Sequence, residues 1–143
     1  MDTLQGIINQ SEGCAGYLED MYEVVQARLP FYRRPSHDGQ RYYYPALSHA
    51  GNAFCSVLLD RLTDRYRDEI EVAGMFVMPE DTKVCRKKLI EAIKLNLVNQ
   101  KENSYPELCR RLYPFPYTQK IFVQNRHKFA LALIILAGFE EVI

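Results

Sequence analysis

Lys120, Gln124 and His127 recur at i, i+4 and i+7, with Lys128 beside them. On a helix that spacing gathers them on one flank. The combination suits nucleic acid: an ammonium meets a phosphate, and a glutamine amide can read an adenine edge in the major groove. Lys87, Lys88, Arg110 and Arg111 are candidate phosphate anchors upstream. Arg33, Arg34 and Arg41 with Tyr42, Tyr43 and Tyr44 form a second basic, aromatic cluster that could stack on or neutralise nucleic acid. Tyrosines of this kind more commonly pack their rings on a helix and keep their hydroxyls wet.

Other chemistries are poorly provided for. Cys14, Cys55, Cys85 and Cys109 form no close pair, and no histidine lies within a few residues of any of them. Structural zinc needs close ligand pairs, so the expected state is four buried free thiols and no metal site. No glycine-rich phosphate loop or nucleophile elbow is present, and Ser48 and His49, being adjacent, would not face each other on a helix. The expectation is a non-enzymatic protein without cofactor or metal.

Charge strengthens the polyanion reading. The formal net charge of the 143 residues is zero, but residues 1–82 carry 7 Lys/Arg against 13 Asp/Glu, and residues 83–130 carry 11 against 3. A net of −6 thus precedes a net of +8, and only Glu140 and Glu141 follow. A basic part of this density is suited to a polyanion, although the two parts can also neutralise each other across an internal interface.

The elements that must position these residues read as helices. Composition is ordinary for a globular chain, at 48% hydrophobic and 25% charged, and the length fits one domain. No apolar run reaches bilayer length, and Met1–Gln5 lacks the basic start of a signal peptide. An intracellular, cytoplasmic protein is therefore expected. A first helix is predicted over Ser11–Leu29, ended by Pro30, and a loop over 31–45 marked by Pro35, Asp38-Gly39 and Pro45. A long central helix follows over Ala46–Ala73, with Pro45 at its first turn and the apolar linker 75–78 after it. A basic helix over Glu80–Asn99 buries Val84, Leu89, Ile90, Ile93 and Leu97. The chain ends in a short helix, Tyr105–Leu112, and a last helix capped by Thr118 and stopped at Gly138.

The fold expected is all-α, a small helical domain ending in a helix-turn-helix-like hairpin over 104–138. Its core should hold Leu58, Leu62, Ile93, Leu108, Phe122, Phe129 and Leu133.

Ser104-Tyr105-Pro106-Glu107-Leu108, followed by Pro116, Phe122, Arg126, Lys128-Phe129 and Leu133, resembles the C-terminal end of small helical late-gene transcriptional regulators. These are of the RinA/ArpU type, encoded by phages and prophages of Gram-positive bacteria. The match spans about 30 of the 143 residues. A double-proline connection replaces the family's short polar turn, and Ala130–Ala137 is aliphatic where the family's tail is often polar. The resemblance implies sequence-specific binding of double-stranded DNA without a cofactor. The competing expectation is a small phage-type inhibitor or adaptor that docks on a host protein. A homodimer is also expected, formed through the linker 75–78 and the aliphatic stretch 131–139.

Overall fold

The computed structural model describes residues 11–139, with side chains from Tyr17 onward. The side chain of Cys14, the start Met1–Gln5 and the pair Glu140–Glu141 lie outside that range. The fold is all-α apart from one small hairpin. Helix α1 spans Ser11–Arg28 and runs into a 3-10 turn, Leu29–Tyr32, at Pro30. Strands β1 (Arg34–Pro35) and β2 (Tyr42–Tyr43) pair antiparallel, Arg34 opposite Tyr43 and Pro35 opposite Tyr42. Helices α2 (His49–Arg61), α3 (Arg67–Gly74), α4 (Lys83–Val98), α5 (Tyr105–Arg111) and α6 (Gln119–Ala137) complete the chain.

One expected element changes. The long helix over 46–73 is two helices: it starts at His49, with Ser48 rather than Pro45 setting the boundary by accepting from the Gly51 N–H at 3.0 Å. It then breaks over residues 62–66, where Leu62 (φ −121°, ψ 25°) and Tyr66 (φ −110°, ψ 30°) leave helical geometry. Thr63 and Asp64 are weak helix formers that compete for backbone hydrogen bonds. The break frees the segments to pack separately, α2 against α4 and α3 against α1 and α6. Leu62 is consequently only half-buried, while the other six expected core residues are buried. Val84, expected inside, is 71% exposed, because it sits in the first turn of α4 on the side away from Leu89, Ala92 and Ile93.

Helix α6 is the spine. It packs against α1, α2, α3 and α4, and every residue from Phe129 to Ile135 is buried. Thr118 accepts from the Ile121 N–H at 3.3 Å to start it, and Gly138 at φ 79° ends it in the left-handed conformation that glycine tolerates. The linker after α3 folds inward, with Phe76 and Val77 buried and Phe76 stacked on Tyr22 at 4.6 Å. The two apolar segments that the sequence offers for a homodimer are therefore largely covered by this chain's own helices.

Candidate functional site

The hairpin is held rigid by its loop. Asp38 Oδ1 accepts from Ser36 Oγ at 2.7 Å and from the Gln40 N–H at 3.0 Å, while Ser36 Oγ accepts from the Arg41 N–H at 3.1 Å. Gly39 supplies the positive φ of 73° that the turn requires. These bonds, led by the Ser36 hydroxyl, hold the Asp38 carboxyl below its usual range, so it stays ionised. The loop fixes the chain on both sides of Arg41 and aims the hairpin at the start of α6.

Between hairpin and helix lies a cleft of about 600 Å³ lined by Arg41, Tyr42, Tyr43, Gln119, Lys120 and Val123. It continues into a second hollow of about 700 Å³ shared by Ser36, His37, Asp38, Arg41 and Lys120. Tyr42 and Tyr43 are exposed, and the Arg33 guanidinium lies 4.9 Å from the Tyr42 ring centroid. Arg41 and Lys120 have no carboxylate within ion-pair distance among the described residues. The rings of Tyr42 and Tyr43 thus stay at the surface instead of packing flat on a helix, and cations flank them.

The residues that sequence alone gathers on one helix flank have separate fates. Lys120 is exposed at the cleft. Gln124 is half-buried and bound to the Tyr44 backbone twice: Oε1 accepts from the Tyr44 N–H at 2.8 Å and Nε2 donates to its carbonyl at 3.0 Å. His127 Nδ1 reaches the same carbonyl at 2.8 Å, and its Nε2 lies 3.4 Å from Arg126 Nη2. A carbonyl only accepts and a guanidinium only donates, so this pair of neighbours fixes the neutral tautomer with the proton on Nδ1. Burial, with the Arg126 charge, pushes the ring below its ordinary pKa, partly offset by the Tyr44 bond. Lys128 is half-buried near Glu80, and its ammonium is lowered by burial.

Three of the four upstream cations are engaged by different partners. Lys87 is exposed, and Lys88 Nζ donates to the Pro114 carbonyl at 2.8 Å. Arg110 and Arg111 both pair with Glu107, Arg111 Nε at 3.1 Å, and Arg111 also reaches Asn103 Oδ1.

One polar system escapes the sequence reading. Arg126 Nη1 donates to Asn96 Oδ1 at 2.6 Å, Asn96 Nδ2 to the Asn103 carbonyl at 2.7 Å, and Asn103 Nδ2 to the Leu95 carbonyl at 2.8 Å. It ties α6, α4 and the turn before α5 together, and Asn96 and Asn103 are buried. The available signal was Asn96 itself, a lone carboxamide between Ile93 and Leu97 on the apolar side of α4.

Other sites offer little reactivity. Burial pushes the Cys55 thiol up to about 12, which keeps it protonated; Cys85 and Cys109 are half-buried rather than buried. Among the described residues no group of three His, Cys, Asp or Glu side chains could hold a metal ion, and no helix is long and apolar enough to cross a membrane. A pocket of about 590 Å³ between α2, α3 and α4 has an apolar floor of Leu59, Ile70, Met75 and Ile90. Arg86 at its edge is spent on the Gly74 and Val77 carbonyls. Comparison with protein-family models, with curated proteins and with solved structures finds no match to this chain.

Proposed function

We propose that this chain is a non-enzymatic DNA-binding protein, a transcriptional regulator of the phage type that its C-terminal residues resemble, acting in the bacterial cytoplasm. The observation that carries the reading is the cleft between hairpin and α6. Arg41 and Lys120, which form no ion pair among the described residues, flank two exposed tyrosines there, with Arg33 stacked alongside and the Asp38 carboxylate in the adjoining hollow. Cations without internal partners gain most from releasing the counterions of a phosphate backbone. The hairpin serves as the phosphate-contacting wing, and the start of α6 approaches the duplex beside it.

The test is fluorescence anisotropy with a mixed-sequence duplex over a range of salt. Arg41→Ala is expected to weaken binding on every sequence and reduce the log–log salt slope by about one. An unchanged slope, or no affinity at low salt, removes the proposal.

A second reading, docking on an acidic host protein, is favoured by one other surface. Val84 and Tyr113 are 71% and 81% exposed, and the Lys88 bond to Pro114 sets them beside a lysine. Val84→Asp would weaken such docking and leave DNA affinity near wild type, which separates the two readings.

A further inference from the structure

Tyr44 meets α6 with its peptide group. Pro45 follows it and biases it to extended backbone, which turns its own N–H and C=O to the same side. The Gln124 carboxamide engages both, accepting at 2.8 Å and donating at 3.0 Å. A donor and an acceptor lying side by side are also what adenine presents in the major groove, at N6 and N7, and a glutamine amide pairs with that edge in the same two-point manner. We propose that Gln124 is an adenine-reading amide held occupied by the Tyr44 peptide, a strap that stands in for the base edge and must lift before α6 reads DNA. This rests on the DNA-binding reading above; it adds the base chemistry recognised and the conformational step that recognition needs.

The surroundings make the exchange feasible. Residues 44–48, between β2 and α2, have no regular secondary structure, and each strand of the preceding hairpin has 2 residues. The strap is pinned at its far end by Leu47, which is buried, so the hinge falls between Tyr44 and Leu47. Lifting Tyr44 lets Gln124 exchange its two bonds to the strap for two of the same kind to a base, while the Tyr44 N–H and C=O pass to water and the half-buried Tyr44 ring is uncovered. The His127 Nδ1 proton, given to the Tyr44 carbonyl in the closed state, becomes a free donor in the open one. Lys120 lies one turn before Gln124 on the same flank and is exposed already, placed for a phosphate beside the base that Gln124 would read.

The full chain decides the matter by hydrogen exchange at the Tyr44 amide, measured in three states. These are the free protein, a complex with a mixed-sequence duplex, and a complex with duplexes enriched by repeated binding from a randomised library. The amide should be protected in the first two states and exchange roughly ten-fold faster or more in the third. Replacing the key adenine of the enriched duplex with 7-deazaadenine, which lacks N7, should weaken wild-type binding about ten-fold to a hundred-fold. The same replacement should leave Gln124→Ala unaffected. A Tyr44 amide that stays protected in the enriched complex overturns the strap, and so does indifference of the wild type to 7-deazaadenine. Both results keep DNA binding itself intact. Failure to bind any duplex at low salt overturns the DNA reading and the strap together.

Discussion

From Phe129 to Ile135 helix α6 buries every residue against the surrounding helices, and its neighbours there are almost all apolar. Immediately before that stretch, Gln124, Arg126, His127 and Lys128 are half-buried, and three of them are held by hydrogen bonds to the Tyr44 backbone and to Asn96. The first half is fixed by packing, where any lost volume leaves a cavity. The second half is fixed by directional bonds that each satisfy a specific group, and that can be exchanged for others of like geometry. One helix thus anchors the fold at its C-terminal end and carries replaceable partners toward its N-terminal end.

The difference is largest in stability. Phe129→Ala opens a cavity at a fully buried site and should cost about 3–5 kcal/mol, read as a lowered denaturant midpoint at unchanged slope. Near-wild-type stability of that variant would detach α6 from the core and end the contrast. In the polar half the heaviest loss should come from Asn96→Leu. It leaves Nη1 of the half-buried Arg126 guanidinium without its acceptor and the Asn103 carbonyl without its donor, at about 2–3 kcal/mol. If that variant is as stable as the wild type, the Arg126 bond is not a structural element.

Acid should act on the polar half alone. His127 is held below its ordinary value of 6.5 by burial first and by Arg126 next. The folded protein therefore binds fewer protons at this ring than the unfolded chain does. Its contribution is complete above about pH 6.5 and is lost as pH falls through the folded value. One proton limits the slope to about 1.4 kcal/mol per pH unit, and partial solvation makes it smaller. Protonation also ends the acceptance from Arg126 Nη2 and sets two cations side by side. Urea denaturation between pH 7 and 5 should show this slope in the wild type and a flatter one in His127→Gln. Equal slopes would place the acid sensitivity elsewhere.

The two halves of α6 were also unequally legible. Phe122, Phe129 and Leu133 follow helical periodicity, Thr118 and Gly138 mark the ends, and the structure places all five as that pattern requires. Periodicity reports which face is apolar because burial acts on every turn of the helix. It does not report what covers a polar face, since Tyr44 lies 80 residues away from Gln124 and nothing local encodes their meeting. The same limit explains the helix over 46–73. Its apolar stripe continues through Leu62, yet the break follows from two weak helix formers and from the packing partners each segment finds. Asn96 could have been singled out as a polar residue in an apolar stripe, but its partner Arg126 could not.

The smallest structural effect and the sharpest functional one should coincide at the cleft. Lys120 is exposed and has no ion pair among the described residues, so Lys120→Ala should change stability by no more than about 0.5 kcal/mol. Arg111 is also exposed, but it pairs with Glu107 at 3.1 Å and bonds to Asn103, so much of its charge is already compensated and its side chain already engaged. For DNA binding each phosphate contact contributes about one unit to the log–log salt slope. Lys120→Ala should therefore flatten the slope by about one, and Arg111→Ala by clearly less, since freeing Arg111 for a phosphate means giving up Glu107. The paired titrations compare two cations on one chain under one set of salts, which removes differences in protein preparation from the result. If Arg111→Ala flattens the slope as much as Lys120→Ala does, the phosphate path includes α5 as well as the cleft, and pairing with Glu107 does not withhold Arg111 from it; if only Arg111→Ala flattens it, the path runs along α5 and the hairpin loses its role as the contacting wing.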